Sequence, residues 1–331
     1  MQISLVITVL NEIKTIRCLL AGIENFSEFP DEIVFVDGGS KDGTLELLTD
    51  WQQRVQQLEN FKYTRLEIFQ KKGNISVGRN EGISRAAHDW IAITDAGCTP
   101  NPDWISQLAA PIKKMLQNVS QNISSKNVKK IPIVAGFYQG NPKTPFEHAV
   151  VPFALVSPEN VDPKTFLPAT RSMLLHKKTW EELGTFREDL RVSEDYFFAQ
   201  QAVKKNIPIL FAPKAIVSWR PRSNIFSFCK MVYLHAYYDQ MAGIRRPKVT
   251  LIFVRYSIAI LLVLFAVLFT NQTITNVIIF AGIAGYSGWA TLKHRHHWPQ
   301  KGSYYLPVLQ WASDLAVMLG TGVRFVRSTT V

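Results

Sequence analysis

Cysteine is scarce in this chain, acidic residues nearly vanish from its last third, and the glycine signatures of two common nucleotide sites are missing. Three cysteines (Cys18, Cys98 and Cys229) form no CxxC pair, and their odd number supports no disulfide framework, so reduced thiols in a cytosolic setting are expected. No GxGxxG follows the first apolar stretch, which excludes a dinucleotide oxidoreductase, and no GxxxxGK[ST] occurs, which excludes a P-loop NTPase. The Gly-rich, Arg-containing loop that follows the first strand of sugar-phosphate nucleotidylyltransferases is absent too. The opening MQISLVITVLNE lacks a basic n-region and a small-residue cleavage site, so it is expected to be a first strand and not a signal peptide. The seven histidines show no metal-ligand spacing, and His294, His296 and His297 are expected to face headgroups.

What is present is unevenly placed. At 331 residues and 47% hydrophobic composition, the chain has ample material for one large domain or two smaller ones. Between Arg220 and Lys301, ten Lys and Arg residues face the single acid Asp239, which accounts for +9 of the net +11. These basic residues flank the most apolar stretches, so an anionic membrane is the expected partner and nucleic acid is not. Val249–Thr270 contains one charge, Arg255, near enough to its start to snorkel, and Thr273–Leu292 contains none. A bilayer core needs about 20 apolar residues in a helix. Arg245, Arg246 and Lys248 precede the pair, Lys293, Arg295 and Lys301 follow it, and the intervening Asn271-Gln272-Thr273 is uncharged. A multi-pass membrane protein is therefore expected, with both ends of a helical hairpin, and the domain before it, on the cytoplasmic side. The alternative is a buried hairpin in a soluble domain. A third run, Tyr304–Val326, contains Asp314 and Arg324; it reads as a third span or, preferably, an interfacial helix.

Residues 1–219 have a different pattern. Apolar runs at Ile3–Val9, Glu32–Val36, Tyr63–Phe69 and Trp90–Thr94 alternate with helical spacing from Glu12, over Leu45–Leu58 and over Val77–Ala87. This alternation predicts an α/β fold with a mostly parallel sheet and helices on both faces, and ligands bind such sheets beyond the carboxyl ends of the strands. Thr8-Val-Leu-Asn-Glu12, Asp37-Gly-Gly-Ser-Lys-Asp-Gly-Thr44 and Asp95-Ala-Gly-Cys98 all fall at that edge. Taken singly, Asn11, Glu12, Asp42 and Thr44 read as helix caps and Gly38-Gly39 as turn glycines. Together, three acids at three strand ends point to one crevice.

The stretches "LVITVLNEIKTI", "IVFVDGGSKDGTLELL", "GRNEGISRAAHDWIAITDAGCTP" and "VSEDYFF", in this order, resemble the inverting family 2 glycosyltransferases of the GT-A fold, over about residues 1–225. The resemblance implies a nucleotide-diphospho-sugar donor and inversion at the anomeric carbon. It implies nucleotide contacts from Thr8 and Glu12, base recognition by Asp37, and a basic residue near the nucleotide at Arg79. It sets Asp95 at the first acid of the family's Asp-x-Asp and Asp195 as the general base. The chemistry asks for these types. An inverting transfer needs a carboxylate to take the acceptor's proton, and positive charge or donors for the departing diphosphate. Glu194 is the alternative base, and Ser193-Glu-Asp195 can also cap the helix Tyr196–Lys205.

The sequence departs from the family at Gly97, where the second acid would stand. Mg²⁺ or Mn²⁺ at Asp95 stays open, since Mg²⁺ needs only one or two carboxylates besides substrate phosphates. Arg220 and Arg222, in Trp219-Arg-Pro-Arg222 just past the strand Ala215–Ser218, are candidates to share the leaving-group role, with Trp219 either at the site or in ordinary packing. Arg171 is a candidate for meeting an anionic or hydroxyl-rich acceptor. Residues 118–130 read as a polar surface loop, and 142–168, rich in Pro and aromatics, as a lid or membrane-lying segment.

The expected organisation is a catalytic domain over 1–225, a basic juxtamembrane connector over 226–248, two transmembrane helices within 249–292, and a basic loop with a third span or interfacial helix over 293–331. The expected activity is single-sugar transfer to a lipid-linked or glycan acceptor at the cytoplasmic face, because the QxxRW signature of processive synthases is absent. The alternative is a non-catalytic carbohydrate- or nucleotide-binding membrane protein on the same scaffold.

Overall fold

Strand-forming runs of Val, Ile and Phe bounded by Asn, Asp and Gly build the first half of the chain. In the computed structural model, which describes residues 1–121, 130–156, 161–295 and 301–329, two units are distinguished. One comprises Met1–Asn141 and Ser157–Trp219, the other Pro142–Val156 and Arg220–Val331.

In the first unit β1 (Ile3–Val9), α1 (Ile16–Glu24), β2 (Glu32–Asp37), α2 (Thr44–Val55), β3 (Arg65–Gln70), α3 (Ile75–Arg85) and β4 (Trp90–Asp95) follow the expected alternation. Strands β3, β2, β1 and β4 are parallel neighbours, and Val6, Ile7, Val34, Phe35 and Ile91 are fully buried, as strands covered on both faces require. The expected parallel order stops there. After β5 (Cys98–Pro100), α4 (Trp104–Gln121) and β6 (Ile133–Gly140), strand β7 (Met173–His176) pairs antiparallel with both β4 and β6. Past α6 (Lys177–Glu182) and α7 (Glu194–Lys204), β8 (Ile209–Trp219) runs parallel to β6 and antiparallel to β5. The eight-stranded sheet, in the order β3-β2-β1-β4-β7-β6-β8-β5, is mixed. Residues 118–121, expected in a loop, continue α4; most of that expected loop lies outside the described residues.

Two glycines explain how α3 reaches the sheet. A Cβ on Gly78 would come within 2.9 Å of Thr8 Cγ2, and one on Gly82 within 2.6 Å of Val6 Cγ1, so α3 lies directly on β1. That close approach carries Arg79 into the interior.

The second unit is helical. It contains α5 (Pro145–Ala154), α8 (Ile225–Met241), α9 (Pro247–Phe269), α10 (Gln272–Lys293) and α11 (Leu306–Thr329). Ala149, Val150, Phe228, Leu306 and Leu309 form its apolar core. Residues 226–248, expected as a connector, are thus mostly helix, and Pro142–Val156 belongs with the helices because α5 buries its apolar face among them. Asn271 caps α10 by accepting from the Ile274 backbone N–H at 2.9 Å. Among the described residues α9 alone is long and apolar enough to cross a membrane. Its Leu251, Ile258, Leu261, Leu262, Leu268 and Phe269 are exposed. Helix α10 has the length, but Asn276, Gly282, Gly285, Ser287 and Gly288 dilute its apolarity, so the expected pair of spans stands at one. Arg255 does not snorkel: its Nη2 donates to Asp314 Oδ2 at 2.7 Å, and Asp314 also accepts from Tyr256, Tyr286 and Gln310. Asp314 is thereby buried between helices, and α11, expected as a third span or an interfacial helix, packs against α8, α9 and α10. His294, expected at headgroups, is buried against the Phe153 ring; His296 and His297 lie outside the described residues.

Candidate active site

The sheet register brings the candidate residues together. Thr8 on β1 pairs with Asp95 on β4, and Val9 pairs with Asp37 on β2, so both acids end adjacent strands beside Thr8. The β4–β7 ladder pairs Ile93 with Met173, and Arg171 lies in the turn that leads into β7. Thr94 Oγ1 fixes that turn by donating to the Arg171 carbonyl at 2.8 Å.

Arg79 is the centre of the charge network. Its Nη2 donates to Asp95 Oδ1 at 2.6 Å and its Nη1 to Glu194 Oε1. Burial works against its charge, but Asp95, Glu194 and Asp195 outweigh that and hold the guanidinium above its ordinary range. Burial likewise raises Glu194, partly countered by Arg79 and reinforced by Asp195. Glu194 is buried and Asp195 half-buried, so Asp195 is the more accessible of the two acids. Asp195 Oδ1 accepts from the Tyr196 backbone N–H at 2.7 Å. Ser193, just before them, has φ of +66°, a left-handed conformation rare outside glycine, and its buried hydroxyl has no partner among the described residues. Backbone strain of this kind is retained where a turn must aim particular side chains.

Arg171 is half-buried, with its guanidinium 5.2 Å from the Tyr138 ring centroid and 5.0 Å from that of Trp219. Burial disfavours its charge, while Asp95, Cys98, Tyr138 and Asp195 together raise it. Cys98 is buried, which with Asp95 pushes its thiol up to about 12. Trp219, on β8 opposite Cys98, is mostly buried and forms one wall beside Arg171.

Other expected residues have partners of their own within the protein. Asp37 is fully buried; it accepts from the backbone N–H groups of Gly39 at 3.1 Å and Ser40 at 3.0 Å and from Gln70 Nε2 at 2.9 Å, so it shapes the turn after β2. Glu12 accepts from Thr15 Oγ1, and its backbone N–H donates to Thr44 Oγ1 at 2.9 Å, which ties the turn after β1 to the start of α2. Arg79, expected near the nucleotide, has 1% of its surface exposed and two carboxylates on it; it positions those acids. In the helical unit, Arg220 is ion-paired at 2.9 Å to the buried Glu147, and Arg222 is exposed. Tyr138 escaped sequence reasoning, and so did the strain at Ser193, which the sequence offers only as a helix cap. Tyr138 carries no local signal because β6 meets β7 and β8 only in the folded sheet.

A divalent cation finds few protein ligands here. Asp95 already gives one oxygen to Arg79, a Cβ on Gly97 would meet nothing within 4 Å, and no cluster of three His, Cys, Asp or Glu occurs among the described residues. The free Asp95 oxygen suits a cation whose remaining ligands are substrate phosphates and water, and not a resident one.

Residues 4–143 match the family described as Glycosyl transferase family 2. Over 102 residues the chain is 29% identical to poly-beta-1,6-N-acetyl-D-glucosamine synthase of Staphylococcus epidermidis, covering 30% of this chain and 23% of that protein. Over 104 residues it is 30% identical to chondroitin synthase of Escherichia coli, covering 31% and 14%. The match thus spans less than a quarter of either synthase. The mannosyltransferase PcManGT from Pyrobaculum calidifontis, solved with GDP-Man and Mn2+, is similar in fold, with a TM-score of 0.57, 15% identity, and 96% and 87% of the two chains covered. The mixed α/β sheet is consistent with the expected GT-A fold.

Proposed function

We propose that this protein is an inverting glycosyltransferase that moves one sugar from a nucleotide-diphospho-sugar to a lipid-linked or glycan acceptor at the cytoplasmic face of a membrane. The observation that carries the reading is the convergence of Asp95, Arg79, Glu194 and Asp195 at the strand ends of a chain whose residues 4–143 match family 2. Thr8 and the Asp37-shaped turn line the donor edge, and Asp95 receives the diphosphate end. The acceptor hydroxyl attacks the anomeric carbon opposite the diphosphate. Its oxygen forms the new C–O bond, its proton passes to the Asp195 carboxylate, and the electron pair of the broken C–O bond leaves on the diphosphate. Glu194, held by Arg79, fixes the start of α7 and leaves Asp195 as the base. Were the donor to bring a divalent cation, Asp95 would be its one protein carboxylate.

The exposed apolar side chains of α9, with Arg245, Arg246 and Lys248 at its start, support membrane attachment with that end in the cytosol. Two relatives named for polysaccharide synthesis support a glycan acceptor. Calorimetry of the full-length protein against UDP-, GDP- and dTDP-linked sugars, with donor hydrolysis as a second readout, tests the function. One donor should bind and be turned over. Binding without turnover in the presence of membrane lipid or glycan acceptors favours the non-catalytic alternative, and no binding removes both readings. Membrane attachment is tested by washing with high salt and carbonate, under which the full-length protein should stay with the pellet.

A further inference from the structure

Arg171 is a cation without a matching anion. It lies in the turn that leads into β7, its carbonyl accepting from Thr94 Oγ1, yet among the described residues no carboxylate lies within ion-pair distance of its guanidinium. The near oxygen of Asp95 is already used by Arg79 at 2.6 Å. Two aromatic faces, Tyr138 and Trp219, hold the Arg171 guanidinium in place instead. Two residues past Asp95, Gly97 lacks the carboxylate that would complete a metal shell, and the space beside it is open. The surplus positive charge and the missing negative charge thus lie near the same acid.

We propose that Arg171 carries the charge of the donor's diphosphate directly, in place of a divalent cation. This rests on the donor reading given above and specifies how that site treats its leaving group. As the sugar–oxygen bond breaks, its electron pair collects on the terminal phosphate oxygen, and a planar guanidinium can donate two parallel N–H bonds to such a group. A cation already oriented by its stacking partners needs little reorganisation as that charge develops. Asp95 then serves to anchor Arg79 and to orient the sugar or phosphate through its free oxygen, so its isolation as a metal ligand is no handicap.

The test is calorimetry of full-length protein with UDP, GDP and dTDP, in EDTA and in Mn2+. The wild type should bind one of them in EDTA with an affinity within a few-fold of that in Mn2+. Arg171→Gln should weaken binding in EDTA by about 10- to 100-fold, the worth of a charge-assisted contact. Arg171→Lys, which keeps the charge but loses the fork, should fall between them and guards against a folding defect in the Gln variant. Adding Gly97→Asp to Arg171→Gln should restore binding in Mn2+ only, because the open space beside Gly97 accepts the new carboxylate. Wild-type binding that collapses in EDTA overturns the proposal, as does Arg171→Gln binding like wild type in EDTA. If the wild type binds no nucleoside diphosphate in either condition, the donor reading falls and the proposal with it.

Discussion

Arg79 on α3 and Glu194 at the start of α7 are 115 positions apart, and both side chains are buried where they meet. A carboxylate engaged in this way is poorly placed to accept a substrate proton, and its neighbour Asp195 is the accessible one. Asp195→Asn should therefore cut turnover by about 10²–10⁴-fold while leaving donor affinity and melting temperature near wild type. Glu194→Ala should instead destabilise the fold by about 3–5 kcal/mol, because it strips one partner from a buried ion pair. Steady-state kinetics alongside thermal melts separate the two, and a dead Glu194→Gln beside an active Asp195→Asn would reverse the assignment.

The Asp37 carboxylate acts through the turn it organises. Replacing it with Ala leaves the Gly39 and Ser40 amides without their acceptor, a loss of about 1–3 kcal/mol for a buried group. Hydrogen exchange should quicken at those two amides, and affinity should fall equally for donors that differ only in the transferred sugar. A change that depends on the sugar would place Asp37 at the wrong end of the donor.

Burial and the Asp95 charge keep the Cys98 thiol protonated at neutral pH, whereas Cys18 is exposed on α1. Because the thiolate is the reactive form, a maleimide at pH 7 should modify Cys18 and spare Cys98 until the fold is lost. Mass spectrometry of the labelled peptides reads this out; prompt labelling of Cys98 would contradict the packing of β5 on β8.

In the helical unit, burial opposes the charge on Glu147, but the Lys143 backbone N–H at 2.6 Å and the Arg220 guanidinium outweigh it and lower its titration below the usual glutamate range. A depressed carboxylate contributes stability that is complete above the unfolded-state value and is lost as pH falls through the folded-state value. Urea midpoints taken from neutral pH down through the acid range should therefore drop more steeply for wild type than for Glu147→Gln. Parallel curves would show that the pair contributes nothing at the surface where Arg220 sits.

Alternation of β1, α1, β2, α2, β3, α3 and β4 was readable because short apolar runs closed by turn residues alternate with stretches of helical period. The antiparallel entry of β7 was not, since Met173–His176 is four residues long and its partners on β4 and β6 are set by the folded sheet. Asp95, Asp195 and Arg79 were legible as site candidates from their positions after strands and in motifs. Their division of labour was not: spacing gives no hint of how deeply Gly78 and Gly82 let α3 sink, nor that Arg79 pairs with Asp95 and Glu194. Arg220 looked available for the same kind of reason, as Glu147 lies 73 positions away from it.

The Arg255–Asp314 contact, spanning 59 positions, bears on how the helical unit is made. When α9 leaves the ribosome its one internal charge has no counter-ion, and the aromatic rings of Tyr286 and Trp289 that later flank it have not been synthesised. Helix α9 is therefore not a portable anchor. Fused alone to a reporter it carries an uncompensated guanidinium, and only a chain extending through α11 delivers the carboxylate that neutralises it. The pair thus ties the neutralisation of this charge to the presence of both α9 and α11.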